Sequence, residues 1–400
     1  MKIVYPYPTY WPYIRRGAER CIHDMANYLA ARGHEVDIIT SKPGAPRVSY
    51  DGMVRVVYLR QFSHPLTYRY APLLKLYAFG LGALSHVLRG GYDVAHLWSF
   101  SSVLAAPLLK RFQSLPYLYH LIVRHHYWPG RMDRWMFKQL MREANIVAAL
   151  TPGGASEASQ AYGVPVDVLP PPVDMERFKP VAMKDLKHPK VLFTGDLGDP
   201  RKGGGLLLRA WDEIHRRCPE ARLVLAGPFG LVGFDFGFDV YTLQRLNLVR
   251  SPSARAAIEI PGPGALADLP TTYAQAAVTV LPSVEEAFGM VVTESLSCGT
   301  PVVCSSYGGP GEIVADPGVG VTVPLQTYFD LMSDGSARQL ADAVVEGIEL
   351  ARQPNSADRC RAWVEPWGLE KVGARLEGML EEMASSGRRG VAAGPVEVSA

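Results

Sequence analysis

Two glutamates eight residues apart, Glu286 and Glu294, stand in the otherwise small and apolar segment SVEEAFGMVVTESLSCG. Because an unpaired buried carboxylate is costly, each acid is expected to reach water or to accept hydrogen bonds from a ligand. The residues between them predict the start of a helix, where free backbone N–H groups attract anions. A diphosphate carrying a sugar at each end would fit the N–H groups of Phe288, Gly289, Met290 and Val291.

A second anion-binding pattern occurs earlier in the chain, in TGDLGDPRKGGGLLLRAW. Here Arg201 and Lys202 precede a glycine-rich turn and a helix, an arrangement suited to phosphate. The segment lacks the P-loop pattern GxxxxGK[ST], and GxGxxG follows neither leading strand. Lys202 is therefore predicted to bind a ligand phosphate, with an ordinary solvated cation as the alternative.

The elements that must position these residues follow a regular alternation. Over the first 180 residues, short apolar runs alternate with amphipathic helical stretches, which predicts a parallel sheet covered by helices. The proline-rich segment VLPPPVDMERFKP then makes a stiff connector, after which the alternation restarts. We expect an α/β protein with two doubly wound, Rossmann-like domains, and ligands at the carboxyl ends of the strands facing the cleft between them.

The segment LPSVEEAFGMVVTESLSCGTPVVCSSYGGPGEIV resembles the signature of retaining GT-B glycosyltransferases of the family 4 type, whose E-x7-E motif matches Glu286 and Glu294. Further matches run in order from residue 1 to about residue 325. They comprise RGHEV at 32–36, VDxxxFxP at 173–180, Lys202 with Gly203, LPTTYAQA at 269–276, and the loop of Gly308, Gly309 and Glu312.

The resemblance implies transfer of a sugar from a nucleotide-diphosphate sugar, such as a UDP- or GDP-sugar, with retention of configuration. It implies that Glu286 contacts the donor sugar, that Glu294 binds the ribose, and that Lys202 and an arginine neutralise the diphosphate. A histidine, here His120, is implied to contact donor sugar and acceptor. The departing phosphate would take the acceptor's proton, so that no enzymatic nucleophile, bound cofactor or metal ion is expected.

The family pattern also implies a domain organisation. We expect an acceptor-binding domain at residues 1–172 and a donor-binding domain at residues 173–364. A C-terminal helix at residues 365–384 is expected to return to the first domain, and residues 385–400 are expected to form a disordered tail.

Two departures from the family pattern concern the cations around the diphosphate. Asp196 stands where members commonly have an arginine, and Arg16 and Gly17 stand where they have two glycines. Arg201 could replace the missing arginine. We hypothesise instead that Arg16 or the neighbouring Arg15 supplies the cation.

Charge distribution bears on the acceptor. Residues 1–180 contain 21 Lys and Arg against 12 Asp and Glu, a net charge of +9, whereas the remainder carries −7. A basic half would attract an anionic acceptor or a lipid surface, although uneven solvated faces are the alternative. The acceptor is expected to be a small molecule, a glycan or a lipid-linked glycan, with peripheral membrane contact as an option and no nucleic-acid partner.

Other patterns leave alternatives open. Five cysteines without a CxxC pair indicate a reduced, cytoplasmic protein without structural zinc. The aromatic residues of the first loop could hold the acceptor or pack on their own domain: Tyr5, Tyr7, Tyr10, Trp11 and Tyr13. His125 and His126 are possible acceptor contacts. Residues 71–91 predict a buried helix, and residues 227–256 show no clean period.

Rival functions also remain open at this point. A nucleotide-sugar epimerase or a phosphorylase could use the same architecture, and a catalytically inactive sugar-nucleotide-binding protein could retain it.

Overall fold

The computed structural model describes residues 1–98, 114–122, 131–227, 246–261 and 268–391, apart from residues 15, 43, 45, 61–71 and 182. Arg15, His125, His126 and most of the 227–256 segment lie outside these ranges. The chain forms two compact units. Unit 1 comprises Met1–Pro172 and Leu369–Ala400, and unit 2 comprises Val173–Gly368.

Unit 1 contains an eight-stranded sheet in the order β3-β4-β2-β1-β5-β6-β7-β8. Its strands are β1 Lys2–Pro6, β2 Glu35–Lys42, β3 Arg47–Asp51, β4 Val54–Arg60, β5 Val94–Leu97, β6 Tyr117–Leu121, β7 Ile146–Ala149 and β8 Asp167–Val168. All neighbouring pairs are parallel except β3 with β4, an antiparallel pair that the alternation pattern did not predict. The helices before the connector are α1 Gly17–Ala31, α2 Pro72–Gly90, α3 Arg131–Glu143 and α4 Pro152–Tyr162.

Buried strands and amphipathic helices form the core of unit 1. On α1, Ile22, Met25, Ala26 and Leu29 recur at helical spacing and are all fully buried. Strands with both faces covered carry apolar residues almost continuously, as in Ile3 and Val4 of β1. This packing fixes the carboxyl ends of the strands, where polar side chains follow.

The last helix, α13, spans Leu369–Val391 and belongs to unit 1. Val372, Leu376, Leu380 and Met383 form its buried stripe at helical spacing. Its predicted start at 365 is wrong, because residues Glu365–Trp367 form a separate 3-10 turn containing Pro366.

The predicted disordered tail from residue 385 is also wrong for residues 385–391, which continue α13. Once a helix has formed, each added residue gains a hydrogen bond at little cost, and burial of Met383 and Ala384 holds the preceding turn. Ser385 contributes a hydroxyl that donates to the carbonyl of Glu382 over 2.9 Å. Residues 392–400 lie outside the described chain.

A charged contact ties α13 to the start of β2. The carboxylate of Glu377 accepts hydrogen bonds from His34 Nε2 at 2.8 Å and from Arg32 Nε at 3.2 Å. The side chains of His34 and Glu377 are only 9% and 13% exposed, so water screens their contact weakly. We therefore expect this contact to stabilise the docked helix.

Glu377→Gln is expected to weaken docking of α13 by about 1 kcal/mol, because a charged hydrogen-bond acceptor is lost. Amide hydrogen exchange of residues 369–391 should quicken roughly fivefold. Glu381→Gln is the matched control. Glu381 lies one turn further along α13, and one of its carboxylate oxygens is within 4.8 Å of a ring nitrogen of His34 and of a carboxylate oxygen of Glu377. Equal exchange in the two variants would contradict a special role for Glu377.

Unit 2 contains a six-stranded, fully parallel sheet in the order β11-β10-β9-β12-β13-β14. Its strands are β9 Lys190–Phe193, β10 Arg222–Leu225, β11 Ile258–Glu259, β12 Val278–Leu281, β13 Val302–Ser305 and β14 Gly320–Val323. Its helices are α5 Gly204–Arg217, α6 Pro252–Ala256, α7 Leu269–Gln275, α8 Met290–Ser297, α9 Gly309–Ile313, α10 Tyr328–Met332, α11 Asp334–Arg352 and α12 Ser356–Val364. The predicted α/β class with two doubly wound, Rossmann-like sheets is confirmed.

The second half of the proline-rich connector packs within unit 2. Val173 N–H donates to the Trp367 carbonyl at 2.9 Å, and Val173 pairs with Gly368 in an isolated parallel bridge. The Arg361 guanidinium donates to the carbonyls of Met175 and Phe178, at 3.0 and 3.1 Å. The segments by which the chain enters and leaves unit 2 therefore lie side by side.

Two bulk expectations can be compared with the structure. All five cysteines are buried free thiols. Of the helices in the described ranges, none combines the length and apolar character needed for a membrane span. The predicted helix at residues 71–91 is α2.

Candidate functional site

Three loops of unit 2 leave the carboxyl ends of neighbouring parallel strands, β9, β12 and β13. They contain the three sequence patterns singled out above: the Arg201 and Lys202 turn, the Glu286 segment, and the Gly308 and Gly309 loop. In open α/β sheets this edge is where ligands bind. The sheet order thus brings the Lys202 turn beside two segments that lie far from it in the chain, the Glu286 segment and the Gly308 loop.

Close backbone contact holds the first two loops together. Gly203 has φ +72°, and a Cβ placed there would lie 2.1 Å from the carbonyl oxygen of Pro282. Beside it, Val284 N–H donates to the Arg201 carbonyl at 2.9 Å. Only glycine can adopt this backbone conformation and pack this closely against the Pro282 carbonyl. Gly203 therefore allows the Lys202 turn to pack directly against the Glu286 segment.

The second and third loops are joined in the same way. Gly309 N–H donates to the Glu286 carbonyl at 3.1 Å. A Cβ on Gly309 would lie 2.3 Å from Phe288 Cα. Gly289, with φ +90°, then turns the chain into α8. The backbone around Glu286 is therefore fixed on both sides by glycine contacts.

Lys202 and Glu286 form an ion pair within this assembly. Lys202 Nζ lies 2.5 Å from Glu286 Oε2, and the two side chains are 29% and 20% exposed. The cation predicted to bind a diphosphate thus contacts the carboxylate predicted to face the sugar. A ligand bound to both must either open this contact or share Lys202 with Glu286.

Helix α8 supplies the other predicted side of the site. Its first residues, Met290 and Val291, are half-buried, whereas Phe288 and Gly289 just before it are buried. N–H groups in the first turn of a helix have no acceptor within the helix. Glu294 lies one turn further on and is buried, with 6% exposure.

Arg201 forms an ion pair with Asp199, two residues before it. Its guanidinium donates to both carboxylate oxygens of Asp199, at 2.6 and 3.2 Å, while Asp199 also caps the turn by accepting from Arg201 N–H at 3.0 Å. Asp196, which replaces the arginine expected from the resemblance, accepts from Gly198 N–H at 2.7 Å and shapes the same loop. Lys202 is therefore the cation placed against Glu286.

Glu285, the residue before Glu286, has an unusual backbone conformation. It adopts φ +57°, in the left-handed region that most side chains avoid. Its carboxylate lies 3.5 Å from the hydroxyl of Tyr328 on α10. The strained residue therefore directly precedes Glu286, the partner of Lys202.

In unit 1, Arg16 and Gly17 begin α1, where both are exposed. Arg16 occupies the N-cap position with an extended backbone. The next two charged residues of the helix, Glu19 and Arg20, are buried, and Glu19 accepts a hydrogen bond from the Thr9 hydroxyl at 2.6 Å.

His120, at the carboxyl end of β6, is fully buried. Its Nε2 lies 2.7 Å from the Leu169 carbonyl and its Nδ1 lies 3.3 Å from His96 Nε2, so both ring nitrogens have partners. Burial lowers the pKa of His120 to about 4, and burial beside His120 lowers that of His96 well below its usual value. Both rings are therefore neutral at pH 7.

Sequence reasoning missed His96 and Trp98, which lie in the same cluster. Trp98 packs against His120 with ring centroids 4.3 Å apart. The sequence could have indicated them, because His96 and Trp98 are two positions apart and so lie on the same face of an extended segment. Of the predicted aromatic loop, Tyr5 and Tyr10 are buried. Tyr10 donates to Asp51 at 2.8 Å, so packing within unit 1 accounts for it.

Both halves of the chain match glycosyltransferase family models. Residues 15–177 match "Glycosyltransferase Family 4" and residues 188–349 match "Glycosyl transferases group 1". Among solved structures, a sucrose-phosphate synthase from Thermosynechococcus elongatus has a TM-score of 0.77 at 22% identity, covering 96% of this chain and 99% of that one. Anabaena HepE in complex with UDP has a TM-score of 0.70 at 18% identity, covering 96% and 100%.

Curated relatives point the same way. A D-inositol 3-phosphate glycosyltransferase of Nocardiopsis dassonvillei is 34% identical over 46% of this chain and 45% of its own length. One from Kineococcus radiotolerans is 28% identical over 80% of each chain. The match covers about half the length of the Nocardiopsis relative, 45%, and of a relative of the same name from Segniliparus rotundus, 51%. The fold is GT-B. Within that class, residues 15–177 are similar to glycosyltransferase family 4 and residues 188–349 to glycosyl transferases group 1.

Proposed function

We propose that this protein is a retaining glycosyltransferase that moves a sugar from a nucleotide-diphosphate sugar to an acceptor hydroxyl. The observation that carries the proposal is the contact of Lys202 with Glu286 beside the start of α8. The loops that hold these two residues are packed together through close backbone contacts at Gly203 and Gly309. In this proposal unit 2, with residues 173–364, binds the donor, and residues 1–172 of unit 1 bind the acceptor. HepE, which has the same fold, has been solved with UDP and with UDP-glucose.

Charge placement supports the chemistry of the donor. As the bond between sugar C1 and the diphosphate oxygen breaks, negative charge grows on the diphosphate. Lys202 and the N–H groups of Gly289 to Val291 would stabilise that charge, a large effect in a preorganised site. Glu286 would accept hydrogen bonds from sugar hydroxyls and Glu294 from the ribose.

Retention follows if the acceptor attacks C1 from the face that the diphosphate leaves. The acceptor oxygen forms the new bond to C1, the old C1–O bond breaks, and the acceptor proton passes to a phosphate oxygen of the leaving group. The protein then contributes position and electrostatic stabilisation rather than a nucleophile. This step uses no metal ion, and the proposal includes none.

The acceptor in this proposal is a small hydroxyl-bearing molecule, glycan or lipid-linked glycan. Two of the relatives above are named for D-inositol 3-phosphate, which makes this polyol phosphate the first acceptor to test. Arg16 at the exposed start of α1 is proposed as an additional cation for the diphosphate.

Thermal unfolding with a panel of nucleotide sugars tests donor binding. A donor at 100 times its Kd should stabilise the protein by about 2.7 kcal/mol and raise its Tm. Release of nucleoside diphosphate should then depend on added D-inositol 3-phosphate or another polyol acceptor. Conversion of the sugar nucleotide alone would indicate an epimerase, and conversion that needs inorganic phosphate would indicate a phosphorylase. Binding without turnover would indicate an inactive binding protein, whereas no Tm shift with any donor would overturn the proposal.

A further inference from the structure

Four rings meet at the carboxyl ends of three neighbouring strands of unit 1, β1, β5 and β6. We call them the ring cluster: Tyr5, His96, Trp98 and His120. Ring centroids are 4.9 Å apart for Tyr5 and His96, 5.1 Å for His96 and Trp98, and 4.3 Å for Trp98 and His120. All four side chains are at least 97% buried.

The hydrogen bonds fix the direction of the protons in the two histidines. A carbonyl oxygen can only accept, so His120 Nε2 must carry the proton that it donates to Leu169 at 2.7 Å. In a neutral ring His120 Nδ1 is then bare, meaning that it carries no proton. His96 Nε2 must therefore donate a hydrogen bond to it across 3.3 Å. His96 Nδ1 is consequently bare as well.

Three polar atoms of the ring cluster have no hydrogen-bond partner in the part of the chain that the structure describes: Tyr5 Oη, His96 Nδ1 and Trp98 Nε1. A buried polar group without a hydrogen-bond partner destabilises the folded state, because it has lost its bonds to water. Three in one cluster call for an explanation, because native proteins contain few such groups. A bound ligand that satisfies them would remove this cost.

The chemistry of these atoms defines the ligand. His96 Nδ1 only accepts, Trp98 Nε1–H only donates, and the Tyr5 hydroxyl does both. Hydroxyl groups, which both donate and accept, complement all three. A phosphate or carboxylate does not, because none of the four rings is a cation and a buried anion without one is costly.

We propose that His96, rather than His120, accepts a hydrogen bond from a neutral hydroxyl of the acceptor, with Trp98 and Tyr5 contacting the same polyol portion. His120 is then a positioning residue that holds His96 in the tautomer with a bare Nδ1. This inference rests on the proposed function and names the part of the acceptor, its uncharged hydroxyl-bearing ring, that unit 1 binds here.

The tautomers can be measured without any turnover. In full-length protein labelled with ¹⁵N-histidine, with signals assigned through His96→Asn and His120→Asn, His96 should show a bare Nδ1 and a protonated Nε2. The same pattern is expected for His120. A protonated His96 Nδ1 would overturn the inference even if the protein transfers sugar.

Kinetics with D-inositol 3-phosphate, or with whichever polyol of the panel accepts sugar, provide the second measurement. His96→Phe should lower kcat/KM for the acceptor roughly 10- to 100-fold, with the KM for the donor unchanged. His96→Asn places an amide oxygen near the Nδ1 position and should recover part of this loss. His188→Asn, at an exposed histidine of unit 2, is the control.

These outcomes separate the two proposals. Undiminished acceptor kcat/KM in a folded His96→Phe variant would reject the role of His96 and leave the glycosyltransferase proposal standing. If no donor or acceptor supports transfer, the proposed function fails, and the role of His96 in binding an acceptor falls with it.

Discussion

Replacing Lys202 with alanine is expected to lower kcat/KM for the nucleotide sugar by roughly 10²- to 10³-fold, the range found when one preorganised donor to a developing negative charge is removed. Lys202 is the cation in contact with Glu286, whereas Arg201 is bound by both oxygens of Asp199. The loss should appear mainly in kcat if Lys202 acts on the leaving group, and mainly in KM if it only binds the donor. Steady-state rates with the donor found by thermal unfolding measure this.

Lys187→Ala is the matched control, since it removes an exposed lysine of the same unit. The Lys202→Ala variant should remain folded, because the partly exposed ion pair of Lys202 with Glu286 contributes little to stability. A Lys202→Ala enzyme with normal kcat and KM would exclude the diphosphate role. A larger loss in Arg201→Ala than in Lys202→Ala would instead assign that role to Arg201.

The second large effect is expected from Gly203→Ala. The new Cβ would lie 2.1 Å from the Pro282 carbonyl oxygen and would require φ +72°, so the Lys202 turn must separate from the Glu286 segment. We expect donor kcat/KM to fall at least 100-fold, since even a displacement of 1 Å can have this effect. Steady-state kinetics and the Tm of the variant measure the two consequences.

Gly205→Ala provides the comparison two residues away. Gly205 lies in the first turn of α5, and the nearest atom to its added Cβ is 3.9 Å distant, on Leu248. Alanine is favoured over glycine in a helix, so this variant should be as stable as the parent or more so, with normal kinetics. Equal activity losses in the two variants would show that the Gly203 contact with Pro282 does not set the site geometry.

Local patterns made much of unit 2 predictable. Apolar runs such as VTVL define β12, and the glycines near Lys202 and before α8 mark turns that other residues cannot adopt. The partnership of Lys202 with Glu286 was not predictable in detail, because it joins residues 84 positions apart through side-chain rotamers. Nor was the bond from Arg201 to Asp199, since the spacing allows it but does not require it.

In unit 1 the missed features have physical causes of the same kind. The β3–β4 hairpin was overlooked although Asp51 and Gly52 form a turn signal, and Gly52 adopts φ +58°. His120 was predicted from the resemblance to contact ligands, but its two ring nitrogens contact His96 and the Leu169 carbonyl, which lie on other segments of the chain. The end of α13 was misplaced because Ser and Gly residues lower helix propensity, whereas packing of the preceding turns continues the helix.

The side-by-side contact of Val173 with Trp367 and Gly368 makes unit 2 an insertion within the sequence of unit 1. During synthesis, unit 2 is therefore complete before the ribosome releases α13, whose buried stripe closes the core of unit 1. The surface of unit 1 that α13 covers therefore remains exposed while the nearly 200 residues of unit 2 are synthesised. The first-synthesised half of the chain is thus the last to reach its finished fold.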